Sequence, residues 1–105
     1  MTAPAQMVNL GTVVLGQGVR CSVTFTSGGV ATDPTTVTFQ FLPPGGSVTT
    51  YLYGVNGQIL RDATGQYHVD LTGNVVGRWA LRFAATGAVT AAVEGEFDVL
   101  PSMFG

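Results

Sequence analysis

The chain has 105 residues, enough for one domain that buries roughly two-thirds of its unfolded surface. It is 46% apolar, 10% charged and carries a net charge of −2, with four arginines and no lysine. That balance excludes sequence-independent binding to phosphate backbones, which needs a positive surface, and a polybasic membrane anchor.

Thr, Val, Gly and aromatics dominate, and no stretch shows the i, i+3, i+4, i+7 spacing of an amphipathic helix. The composition is all-β. Met1–Gln6 has neither a positive region nor an apolar run, so no signal peptide is expected, and synthesis and folding in the cytoplasm are expected. Cys21 is alone; it is expected to be a small buried residue with no disulfide.

Taken in order, residues 1–9 read as a flexible arm. Thr12–Leu15 is a short strand, and Val19–Ser27 alternates with Val19, Cys21, Val23 and Phe25 on one face. Gly28-Gly29 and Asp33-Pro34 mark a loop. Thr36–Leu42 alternates again, and Pro43-Pro44-Gly45-Gly46 reverses it. Ser47–Val55 follows, then Asn56-Gly57, a type I′ hairpin signal that would return Gln58–Arg61 beside it. Asp62 and Gly65 fit the first and last positions of a type I turn.

Two matched strands come next. Gly65, Tyr67, Val69 and Leu71 repeat as Gly77, Trp79, Leu81 and Phe83, each offering three large apolar side chains at period two. Val93–Leu100 is the last strand, with Glu94, Glu96 and Asp98 facing outward; Pro101 ends it, and residues 101–105 form a tail. Seven to eight short strands with regular turns predict a β-sandwich or small barrel over residues 10–100; the reading adopted is an antiparallel β-sandwich, immunoglobulin-like and, from the Asn56-Gly57 hairpin, fibronectin-III-like. The matched strands should lie in opposite sheets, and the last strand should pair with Arg78–Phe83.

No catalytic constellation emerges. His68 and Asp70 share a polar face without a nucleophile, so His68 reads as an ordinary surface residue. Asp33, Asp62 and Asp70 lack calcium-loop spacing, and the glycine pairs lack the following Lys of a phosphate loop; no metal or cofactor is expected. Tyr51 and Tyr53, two apart, are either cross-strand packing or an exposed aromatic strip. Met103 and Phe104, beyond the Pro stop, either fold back or dock on a neighbour. Leu100, Met103, Phe104, Tyr51 and Tyr53 are the candidate partner-binding residues.

Thr32-Asp-Pro-Thr-Thr-Val-Thr-Phe, Pro44-Gly-Gly-Ser-Val-Thr-Thr-Tyr, Arg61-Asp-Ala-Thr-Gly-Gln-Tyr-His-Val-Asp and Gly77-Arg-Trp-Ala-Leu-Arg-Phe, in that order, resemble small immunoglobulin-like structural proteins of tailed bacteriophages and prophages. The resemblance covers roughly residues 10–100. It lacks the Cys…Trp…Cys signature of antibody domains, since Trp79 comes late and Cys21 has no partner. It implies a non-enzymatic virion protein, first a capsid decoration (cement) protein on the major capsid protein shell, with self-association as a further expectation. A neck or tail connector and a host-surface or carbohydrate-binding module are the alternatives it leaves.

Overall fold

A computed structural model describes residues 4–7 and 11–104. Among them are ten β-strands and no helix. They form two sheets packed face to face, a β-sandwich. In the first sheet β1 (Ala5–Met7), β3 (Gly18–Ser27), β8 (Gln66–Thr72) and β7 (Leu60–Ala63) lie in that order, and β4 (Val30–Ala31) pairs with the end of β3. The second runs β2 (Thr12–Val14), β10 (Ala91–Leu100), β9 (Gly77–Thr86), β5 (Thr36–Leu42) and β6 (Thr49–Leu52). Pairings are antiparallel except that of β2 with β10.

The period-two alternation is realised as expected where both faces have a clear preference. Val19, Cys21, Val23 and Phe25 of β3 are all buried, as are Tyr67, Val69 and Leu71 of β8. Across the core Trp79, Leu81 and Phe83 of β9 are buried too, so the matched strands do stand in opposite sheets. β10 pairs with β9 from Ala91↔Ala85 to Val99↔Gly77, which sets Arg78 beside Asp98 and Arg82 beside Glu94 on the outer face. Such exposed pairs contribute about 0–1 kcal/mol each and act chiefly on register.

Trp79 anchors the second sheet. Its ring stacks on Phe97 at 5.3 Å and on Phe41 at 6.1 Å, and its indole N–H donates to the carbonyl of Val75 at 3.0 Å. The link between β8 and β9 is thereby tied to the core that it crosses.

Three expectations are corrected. The arm drawn at residues 1–9 contains strand β1, paired with β3 from Ala5↔Phe25 to Met7↔Val23; Ala5 is buried and Met7 packs on the core. Residues 1–3, 8 and 9 of that stretch, the adjoining residue 10 and Gly105 of the tail lie outside the described residues.

Asn56-Gly57 does not close a hairpin. Asn56 keeps a negative φ, as every described non-glycine residue does, so no type I′ turn forms. Its side-chain oxygen instead accepts from the N–H of Leu52 (2.8 Å) and its own N–H donates to the carbonyl of Leu52 (3.2 Å), capping the end of β6. The chain then crosses to the first sheet, anchored by buried Ile59, and enters β7. β6 and β7 are thus in different sheets, and the premise for a fibronectin-III-like variant falls.

The third correction concerns His68, which is 5% exposed and not a surface residue. It points outward from β8, but β8 is an interior strand, and His68 stands in register between Ser22 of β3 and Leu60 of β7.

Trp79→Ala removes both stacking contacts and the hydrogen bond to the link. It is expected to cost about 3–5 kcal/mol in denaturant melts, the usual range for truncating a buried aromatic; a loss under about 1 kcal/mol would contradict this packing.

Candidate functional site

Apart from the β9–β10 ion pairs on the second sheet, the ionisable groups gather in two places on the first sheet. Asp33, in the loop between β4 and β5, accepts two hydrogen bonds from the Arg61 guanidinium (3.1 and 3.0 Å), one from the N–H of Gly65 (2.8 Å) and one from the hydroxyl of Tyr67 (3.0 Å). Gly65 sits in the β7–β8 turn at φ +72°, and a Cβ there would lie 2.5 Å from the carbonyl oxygen of Phe25, so glycine is required. Arg61, with the other donors, holds the Asp33 carboxyl down at about 2. Burial, reinforced by the bond to Asp33, pushes the Tyr67 hydroxyl up to about 12. The cluster ties a long loop to a tight turn; every oxygen it presents is engaged in holding the fold.

The second cluster surrounds His68. A bulge in β7 between Arg61 and Ala63 leaves Asp62 as the extra residue and turns its carboxylate onto Nδ1 at 2.7 and 2.8 Å. Nδ1 therefore donates, and Nε2, buried, has no hydrogen-bond partner among the described residues; Asp70 Oδ2 is 3.8 Å away and itself accepts from Arg20 Nη2 at 3.2 Å. With no hydroxyl or thiol in hydrogen-bond reach of Nε2, the imidazole has nothing to activate. Burial pushes the Cys21 thiol up to about 12, which leaves it un-ionised at neutral pH. Among the described residues no group of three metal-ligating side chains converges. A shallow groove of about 200 Å³ crosses the outer face of the second sheet between Leu42, Val48, Ala80, Arg82 and Glu94.

Of the five candidate partner-binding residues, Tyr53 and the three tail residues fall at two opposite ends, and Tyr51 lies between them. Tyr51 turns inward, stacked on Phe39 at 6.4 Å and close to Phe41 at 5.6 Å. Tyr53, just beyond β6, sits edge-on to Tyr67 at 5.2 Å, next to the Asp33 cluster. The two rings therefore have separate partners and do not form one flat platform.

Leu100, Met103 and Phe104 leave from the other end, where Val99 pairs with Gly77. Met103 and Phe104 are 92% and 96% exposed, so the tail does not fold back. Exposed Val14 pairs in register with Leu100, and the N–H of Leu15 donates to the carbonyl of Leu100 (2.8 Å). Gly16 and Gln17 exchange backbone hydrogen bonds with Gly73, which brings in the β8–β9 link and its exposed Val75 and Val76. A Cβ on Gly77 would meet Pro44 at 2.8 Å, so the Pro-Pro-Gly-Gly turn closes the same end. The sequence pointed to the tail; the loops that join it there are far apart in the chain.

No family model and no curated protein matches the chain. Among solved structures it is similar to a chain described as "a putative glycoside hydrolase from Bacteroides vulgatus ATCC 8482", with a TM-score of 0.58 and 17% identity over 88% of this chain and 16% of that one. At that identity the likeness is one of fold. The same fold is matched by 283 solved chains, and so widely used a scaffold carries no single chemistry with it.

The Asp33 cluster gives a pH dependence of known sign. Asp33 ionises near 2 when folded against an ordinary 3.8, so its contribution is complete above about pH 4 and is lost as pH falls towards 2. Asp33→Asn is expected to be less stable at neutral pH and to show a shallower acid slope across that window in urea melts; equal slopes for the two proteins would refute the assignment.

Proposed function

We propose that the protein is a non-enzymatic structural module of a virion, a capsid decoration protein seated on the major capsid protein shell, and that its sandwich is immunoglobulin-like. The strand order supports the second part. β1-β3-β8-β7 against β10-β9-β5 follows the ABED and GFC sheets of immunoglobulin domains, with β6 as an added edge strand.

The observation that carries the first part is the tail. Met103 and Phe104 project from a well-packed sandwich with almost no cover, beside half-exposed Leu100, and a flexible Met with an aromatic ring suits a contact surface better than a solvated one. The four segments that resemble phage structural proteins supply the kind of partner. Neck or tail placement would use the same surface at lower copy number.

The carbohydrate-binding reading draws on the name of the structural neighbour and on the tyrosines. It is the weaker one, because Tyr51 is committed to Phe39 and Phe41 and leaves Tyr53 as a single ring.

Mass spectrometry of purified particles is expected to find the protein in hundreds of copies. Met103→Ser with Phe104→Ser should lower its occupancy at least about tenfold, while stability changes by no more than about 0.5 kcal/mol, as for other exposed positions. About a dozen copies would move the protein to the neck, and none in purified heads would end the proposal.

A further inference from the structure

The exposed apolar side chains are unevenly placed. Residues 14–18, 42–48, 72–77 and 100–104 meet at one end of the sandwich, and none of these segments contains a charged residue or a histidine. All ten charged residues lie outside these segments; Arg78 and Asp98, one rung away, pair with each other on the outer face of the second sheet. Val14, Leu15 and Val76 are substantially exposed at this end, beside the tail.

We propose that this end is a homotypic docking surface, covered in the free protein by a second copy of the chain in a two-fold, end-to-end dimer. Three observations select a second copy as the occupant. The first is charge. The outer sheet faces carry the Arg20–Asp70, Arg78–Asp98 and Arg82–Glu94 pairs, so copies meeting there would have to desolvate ion pairs at a cost. Two copies of a chain with net charge −2 meet without that cost, and with the least repulsion, through an uncharged end.

The second is self-complementarity. The anchors Met103 and Phe104 and the apolar surface of Val75 and Val76 belong to the same end, yet the anchors do not cover it in their own copy. A two-fold axis through that end lays each tail across the partner's link, so that both anchors are covered in one closed contact.

The third is area. The molecule measures 47 × 30 × 21 Å. An end section of that width and depth offers on the order of 500 Å² per copy and about 1,000 Å² for the pair, the lower limit for specific interfaces. The dimer is therefore concentration-dependent, not obligate.

Analytical ultracentrifugation of the purified chain over a range of concentrations is expected to show monomer passing to dimer with no larger species, and little change with ionic strength. Val76→Asp sets like charges across the axis, and Met103→Ser with Phe104→Ser removes the anchors. Each is expected to weaken dimerisation at least about tenfold, or about 1.4 kcal/mol, with an unchanged melting temperature at concentrations where the parent chain is monomeric. A chain that is monomeric at every concentration, or a dimer that persists in both variants, overturns the inference. A monomer that still populates particles would overturn it and leave the decoration reading intact.

Discussion

Two sheets of unlike composition have to close over one interior, and the aromatic rings decide how. Trp79, Phe83, Phe39 and Phe97 line the second sheet, and Phe25 and Tyr67 line the first, all within a few per cent of full burial. Phe39 and Phe83 approach to 4.7 Å, Phe25 and Tyr67 to 5.9 Å. Burying rings of this size supplies a large share of the apolar burial of a domain this small, which has no disulfide to draw on. The remaining structure is arranged so that β3, β5, β8, β9 and β10 can present their rings to that interior.

The polar clusters are consequences of the same closure. Tyr67 brings its ring into the core but cannot bury its hydroxyl unpaired, and Asp33 takes the hydrogen bond. Arg61 then neutralises Asp33, and the Gly65 turn is drawn against both. His68 is a parallel case on the opposite face of β8: an interior strand position denies it water, and the bulge in β7 supplies Asp62 in compensation. In another setting a histidine between two carboxylates would suggest catalysis. Here its second nitrogen meets no reacting group, and the pair holds the edge strand in place.

Function is therefore sought on the surface. One end is closed by the Asp33 cluster and Tyr53; the other gathers uncharged loops and a projecting tail. Since loops carry the variable chemistry of a sandwich and strands carry its stability, a contrast between its two ends is a contrast in what each can bind.

The sequence by itself determined the all-β class, the inward faces of β3, β5, β8, β9 and β10, the pairing of β9 with β10 and the burial of Cys21 and Trp79. The faces and the burial follow from period-two alternation, a local property that any half-buried strand must display, and the pairing from the order of strands in a sandwich. Tertiary structure alone decided the rest. Asn56 carries the dipeptide signal of a hairpin, but the free backbone of Leu52 captured its side chain and sent the chain into the other sheet. Ala5–Met7 is too short to show a period, and became a strand because β3 had an edge to fill. His68 sits at a polar position of its strand and is buried by neighbours 46 positions before it, at Ser22, and eight before it, at Leu60. The uncharged end is the plainest instance: four segments unremarkable one by one become a surface only when the strands between them fix their loops side by side.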